Sequence, residues 1–309
     1  MIVSRAQGCL VGQIAGDALG SLVEFKSPEV IRARYPEGVR EIADGGTWNT
    51  IAGQPTDDSE MALLLARMLA DRATYQAEAA LEAYQFWFES NPFDCGATIA
   101  DGLLGFPNPN SQANGAMMRI SPLGIFGANH PLEAVEEWAR QDAALTHPHP
   151  ICLQANALFA MAIAHSIASG CEPEELYMCI VQWASELGVA APLREAIEEA
   201  AHTPPPDFVH QQGWLLIAFQ NALWQLLYAP NLEEGVVDTV MRGGDTDTNA
   251  AICGALLGTV YGVESIPTQW TDAVLNCRPM AGRPGVHRPR PECFWPTDAL
   301  ELAARLVRA

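Results

Sequence analysis

The chain has 309 residues, room for one large domain or two ordinary ones, and its 49% hydrophobic and 17% charged composition excludes a disordered polypeptide. Its 17 basic and 37 acidic residues leave a formal net charge of -20, a surface that repels polyphosphate backbones and anionic bilayers. General nucleic-acid binding and membrane attachment are therefore not expected.

Taken in chain order, apolar residues recur at three- and four-residue spacing in nearly every segment, and no stretch alternates with period two for long. A first helix ends at the glycine-flanked Asp17, with Glu24 following in apolar surroundings. Helices are predicted over Ser59–Ala70 and Ala77–Glu89, and the Asn114–Gly115 turn reads as the opening of another. Further helical patterns cover Leu132–Leu145, Ile151–Ala168, Glu174–Leu187, Pro192–Ala201, Trp214–Tyr228 and Leu232–Met241. Pro173 and Pro192 stand where a first helical turn tolerates proline. A helix from Asn249 carries Gly254-x-x-x-Gly258-x-x-x-Gly262, a spacing that signals close helix packing, and Asp298–Val307 is the last helical segment. Pro204–Pro206 and Arg278–Pro296 are the least regular parts. With no linker and no fixed-period repeat, the expectation is one all-α domain spanning 1–309.

The eight cysteines include no C-x-x-C pair and no zinc spacing, and several lie in apolar helical runs. They read as free thiols in a reducing, cytoplasmic setting. The N-terminal stretch Gly8–Leu22 is broken by glycines and Asp17, unlike a secretory leader. Ala250–Val263 falls short of the roughly 20 residues that span a bilayer.

Two segments gather hard oxygen donors at the mouth of a helix. Thr56-Asp57-Asp58-Ser59 precedes an apolar helix, where such residues commonly cap free amides and suit the helix dipole. Gly243-Gly244-Asp245-Thr246-Asp247-Thr248 opens another, and a cap needs one of these side chains, not four. Converging carboxylates repel and raise one another's pKa unless cations lie between them. Asp57, Asp58, Asp245 and Asp247, with the hydroxyls of Thr56 and Thr248, form an oxygen-only shell suited to two magnesium ions, with manganese as a substitute. Neither cluster contains a histidine or a thiolate, which disfavours zinc.

Three further segments are weaker individually. Asp17 and Glu24 could be a turn brace and a surface carboxylate. The amides at Asn114–Gly115 could meet a phosphate, while Arg119 reads as a buried arginine paired with an acid. His147, in Thr146-His147-Pro148-His149-Pro150, could be structural or functional.

In order along the chain, GDALGSLVEF (16–25), PTDDSEMALLLA (55–66), NGAMMRISPLG (114–124), LTHPHP (145–150) and MRGGDTDTNAAICGALLG (241–258) together resemble the ADP-ribosylglycohydrolase family. The motif-bearing core runs over about 4–265, with the tail 266–309 packed on it. The resemblance implies an orthogonally packed all-α domain with a binuclear magnesium centre, whose ligands would be Thr56, Asp57, Asp58, Asp245, Asp247 and Thr248. Glu24 matches an acid/base or substrate-orienting carboxylate, with Asp58 the other candidate for moving the proton. Ser111, Asn114, Gly115 and His147 fall where the family holds pyrophosphate and riboses, and Phe106 is the candidate for stacking near adenosine. Ser59 replaces the threonine common after the TDD triplet, a change that keeps the hydroxyl. The implied activity is metal-dependent release of ADP-ribose from a modified protein, with arginine as the preferred acceptor, and a monomer is the default expectation. Serine or a small conjugate as acceptor, phosphoester hydrolysis, and a non-catalytic ADP-ribose-binding homologue are the competing readings.

Overall fold

A computed structural model describes residues 1–308. In chain order the α-helices are α1 (Ile2–Gly20), α2 (Pro28–Arg34), α3 (Asp57–Arg72), α4 (Ala77–Glu89), α5 (Ala97–Leu103), α6 (Ser121–Gly127), α7 (Leu132–Ala144) and α8 (Pro150–Ser169). They continue with α9 (Pro173–Glu186), α10 (Ala191–Glu199), α11 (Leu215–Tyr228), α12 (Leu232–Met241), α13 (Thr246–Tyr261), α14 (Thr268–Leu275) and α15 (Ala299–Leu306). Among the described residues, β pairing is limited to the isolated bridges Gly45–Thr50 and Ala113–Trp214. The fold is all-α, and one apolar cluster runs from Ala6 in α1 to Val307 beyond α15.

Most predicted helices appear within a few residues of their expected ends. Local capping accounts for several: Glu172 and Glu175 form a reciprocal box with Pro173 in the first turn of α9, and the Asn231 side chain accepts from Glu234 N at 2.9 Å to start α12. Three differences matter. Helix α1 continues past Asp17 to Gly20. Helix α13 starts at Thr246, so Asp247 and Thr248 lie inside its first turn. No helix opens at Asn114: residues 114–119 form turns, and α6 begins at Ser121. Asn114 N instead donates to Gly213 O at 3.0 Å, so the segment is spent on pairing with a distant loop.

The axis of the molecule is the antiparallel pair α1 and α13, which touch backbone to backbone. A Cβ placed on Gly8, Gly12, Gly16 or Gly20 would lie 2.3, 2.5, 2.2 or 2.4 Å from the carbonyl oxygens of Gly258, Gly254, Ala250 and Thr246 respectively. Only residues without a side chain allow that approach over nearly the whole length of α1. Its consequence is functional: Asp17 and the loop carrying Glu24 are held beside the acidic start of α13.

Helix α8 packs against α6, α7, α9 and α13 as a core helix. Its length and mean hydropathy of 1.6 would suit a membrane span, but 78% of that window is buried inside the fold. The irregular tail is bolted down by Arg290, whose Nη2 meets Glu60 Oε2 of α3 at 2.7 Å, with both side chains almost fully buried. Trp87 of α4 donates to the same carboxylate at 2.8 Å.

Candidate active site

Helix α3 starts in an unusual way. Thr56 occupies its N-cap position, yet its side chain makes no cap hydrogen bond. Asp17 of α1 performs that duty from outside, accepting from the backbone N–H groups of Thr56 and Ser59, each at 3.2 Å. The Thr56 hydroxyl lies 2.9 Å from Asp17 Oδ1 and 3.0 Å from Asp58 Oδ2. The ordinary N-cap reading of Thr56 therefore does not describe this helix. Asp57 and Asp58 are left to face elsewhere, and Asp58 Oδ1 is buried without a partner.

Helix α13 repeats the pattern. Asp245 is its N-cap residue, but its side chain does not cap; it accepts instead from Asn114 Nδ2 at 2.7 Å. The preceding glycine pair is required by the geometry. Gly244 has φ +76°, and a Cβ there would lie 1.9 Å from Phe208 O. Gly244 also exchanges backbone hydrogen bonds with the Glu24 loop, donating to Lys26 O at 3.0 Å and accepting from Phe25 N at 2.8 Å. Those bonds seat Glu24 against Asp247.

The two acidic clusters meet at one cleft of about 750 Å³, counted to its open mouth. Glu24, Asp57, Asp94, Asp245, Asp247 and Thr248 line it, with Asn114, Gly115 and His147 also in the wall. Among the described residues, no lysine or arginine lines it. Burial raises every carboxylate here, and neighbouring negative charges raise most of them further. Asp57 is pushed up to about 7 by burial and then by Asp17 and Asp245. Glu24 reaches about 8 through burial and Asp245, and Asp94 about 10 through burial, Asp57 and Glu24. Asp58 and Asp247 are held well above the usual carboxylate range, first by burial and next by Asp17 and Glu24 respectively. Such a cluster is electrostatically incomplete on its own.

The other expected residues are placed as follows. Thr56 and Asp58 are buried behind the cleft floor and do not line it. Gly115 lies against Ile99 and His147, where a Cβ would be 2.9 and 3.3 Å from them. Ser111 stands back from the cleft, 2.8 Å from the Thr98 hydroxyl. Phe106 is 78% exposed and outside the lining, because the chain turns outward after α5. Residues that sequence reasoning passed over also contribute. Asp94 brings an oxygen that, with one each from Glu24 and Asp247, forms a group within 4.8 Å. Trp48 donates its indole N–H to Glu24 Oε2 at 2.6 Å. Phe25 lines the mouth with φ +62°, a strained backbone for a non-glycine residue. Asp94 is a lone acid in an irregular loop and carries no motif that could have singled it out.

The cleft of this all-helical body is thus lined by mostly buried acids, with Asn114 and Gln212 bringing side-chain amides to its wall. The family model for ADP-ribosylglycohydrolase matches residues 2–308. The chain is 30% identical over 281 residues to the ADP-ribosyl-[dinitrogen reductase] glycohydrolase of Rhodospirillum rubrum, covering 86% of this chain and 88% of that protein. It is 25% identical to the ADP-ribosylarginine hydrolase Tri1 of Pseudomonas putida, covering 88% and 74% respectively. A solved structure of an "ADP-ribosylglycohydrolase-related protein complex" superimposes with a TM-score of 0.80 at 26% identity, over 99% of this chain and 98% of that one. The chain belongs to the ADP-ribosylglycohydrolase family.

Proposed function

We propose that the chain is a magnesium-dependent hydrolase that cleaves the N-glycosidic bond between ADP-ribose and arginine in modified proteins, acting as a cytoplasmic monomer. The observation that carries this is the convergence of the acidic starts of α3 and α13 on one cleft, within a fold whose relatives act on ADP-ribosyl bonds. Arginine is favoured by the names of the bacterial relatives and by the acidic mouth, where the half-buried Asp94 would meet a cationic acceptor. The reducing setting rests on eight free thiols.

The donor set fits hard divalent cations: it is oxygen-only, holds more carboxylates than the protein neutralises, and includes an unpartnered buried Asp58 Oδ1. Thr56, Asp57, Asp58, Asp245, Asp247 and Thr248 would hold two Mg2+ ions, Mn2+ substituting, with Glu24 and Asp94 alongside. Bound there, the cations would neutralise the cluster and act as Lewis acids toward water and ribose hydroxyls. Of the two proton-moving candidates, Glu24 has the better position, because it lines the cleft with its carboxylate steadied by Trp48 whereas Asp58 lies beneath the floor. Asn114 holds Asp245, and the side-chain-free Gly115 lets a pyrophosphate approach the wall.

Peptides carrying ADP-ribose on arginine or on serine, assayed for free ADP-ribose with magnesium and with excess chelator, test the reading. Release from the arginine linkage in magnesium alone is expected, and Asp245→Ala should abolish it while retaining cooperative unfolding. Full activity in chelator or in Asp245→Ala would remove the metal scheme. Turnover of the serine linkage alone would overturn the acceptor assignment and leave the class standing.

A further inference from the structure

Behind the wall of the cleft runs a line of buried polar groups that the scheme above does not use. Arg119 and Asp142 are both fully buried and paired, Nε to Oδ1 at 3.1 Å, and Arg119 Nη2 donates to the Asp142 carbonyl at 3.0 Å. Tyr84 donates to Asp142 Oδ2 at 2.9 Å, and the guanidinium lies 4.4 Å from its ring centre. Arg119 Nη1 continues the line to Thr146 Oγ1 at 2.9 Å, and that oxygen is 2.7 Å from His147 Nδ1.

Counting hydrogens fixes the direction of these bonds. A guanidinium only donates, so Thr146 Oγ1 accepts from Arg119. The threonine has one hydroxyl hydrogen, and His147 Nδ1 is the acceptor within its reach. Were Nδ1 protonated, that hydroxyl hydrogen would be buried without an acceptor, at a cost of roughly 1–3 kcal/mol. Nδ1 therefore accepts, and the ring's own proton resides on Nε2. Nε2 is buried and has no protein partner, while the ring lines the cleft. Gly102 of α5 locks the arrangement from the other side: a Cβ there would lie 2.6 Å from Thr146 Cα and 2.9 Å from its Cγ2.

We propose that Arg119 and Thr146 are positioning residues that fix His147 as a neutral Nε2–H donor to a phosphate or ribose oxygen of the substrate, so that His147 neither carries charge nor moves a proton. The tautomer and the positioning roles follow from the protein alone, whereas a phosphate or ribose oxygen beside His147 is what the family resemblance already implied and rests on the ADP-ribosyl reading. Burial, reinforced by the Arg119 charge, pushes the imidazole down to about 3, which agrees with a ring that stays neutral.

Ring-nitrogen NMR of histidine-labelled protein, with His147→Gln to assign the signal, tests the first half. The expected result is an Nε2–H tautomer unchanged from pH 5 to 8, and an Nδ1–H ring or one that titrates in that range overturns the proposal whatever the enzyme cleaves. ADP-ribose added to magnesium-loaded protein should shift the Nε2–H signal. Thr146→Val should lose the fixed tautomer and bind ADP-ribose roughly tenfold more weakly, and Thr146→Ser should restore both. ADP-ribose that binds by calorimetry without moving the Nε2–H signal refutes the donor role and leaves the functional reading intact. An absence of any ADP-ribose binding refutes the functional reading and leaves the tautomer. If Thr146→Val does not fold, the wild-type tautomer and Thr146→Ser still decide.

Discussion

Replacing Gly16 by alanine separates two physical accounts of α1, because they differ in sign. Intrinsic helix propensity alone favours alanine over an interior glycine by about 1 kcal/mol, so a helix limited by local preference should be stabilised. Packing predicts the reverse. The new Cβ would lie 2.2 Å from Ala250 O and 2.5 Å from Ala250 C, with backbone on both sides and no flexible side chain to yield. Reaching ordinary contact requires the helices to part by about 1 Å, a gap that forfeits a quarter to a half of each dispersion contact along the seam. Overpacking of this kind costs up to about 3 kcal/mol, which after the propensity gain leaves a net loss of about 2 kcal/mol. Urea unfolding followed by circular dichroism measures it. Gly105→Ala serves as the control, since φ there is +87° with open space around the missing Cβ, so it reports backbone strain alone, about 1 kcal/mol. If magnesium binds as proposed, Gly16→Ala should also reduce the gain in melting temperature that the ion confers, because Asp17 and Asp247 stand on the two helices being separated. A Gly16→Ala protein as stable as the parent would refute the reasoning.

Two other outcomes follow from buried charges. His147 takes a proton near 6.5 in the unfolded chain and only near 3 when folded, so below 6.5 the unfolded state binds more protons and stability falls as pH falls. The contribution is about 1.4 kcal/mol per pH unit, or about 2 kcal/mol lost by pH 5. The raised carboxylates act in the opposite sense, so the measurement is the difference between wild type and His147→Gln, which chemical denaturation should show shifting by about 2 kcal/mol against wild type between pH 7 and 5. Arg290→Met strands Glu60 in the interior and should cost about 3–5 kcal/mol, whereas the double change Arg290→Met with Glu60→Leu should recover more than half of it by thermal unfolding.

The long helices were legible because their apolar faces are local and periodic, as in Ala77–Glu89 and Leu232–Met241, which appear with the expected ends. The Gly254–Gly258–Gly262 spacing signalled tight packing but not its partner. The matching series Gly8, Gly12, Gly16 and Gly20 has the same four-residue step, and pairing the two required knowing that residues so distant in sequence lie side by side. Asn114 misled for a related reason. An Asn-Gly turn commonly precedes a helix, but here its backbone and side chain are committed to Gly213 and Asp245, contacts that no local pattern records. The acidic clusters stood out because each holds more oxygen donors than a cap can use. Asp94 and Trp48 did not, since a single acid and a single indole gain their roles only from what the fold places beside them.

Asp17 shows how fold and site depend on each other. A helix start normally consumes the first polar side chain available, which at α3 would be Thr56. By reaching across from α1 to accept the Thr56 and Ser59 amides, Asp17 satisfies the helix from outside, so that neither Asp57 nor Asp58 is needed as its cap and Asp58 Oδ1 stays without a partner. That arrangement demands that α1 sit at a fixed distance from α13, which the glycine seam enforces, while the Asp17 hydrogen bonds themselves tie α1 to the start of α3. The carboxylates gathered there are each raised by burial, so without a counter-charge the fold favours their protonated forms. On the proposed reading, cations replace those protons, and their binding free energy appears as folding stability that grows with pH. The melting temperature gained on adding magnesium should thus be larger at pH 8 than at pH 6, and a gain independent of pH would mean that the ions do not enter this cluster.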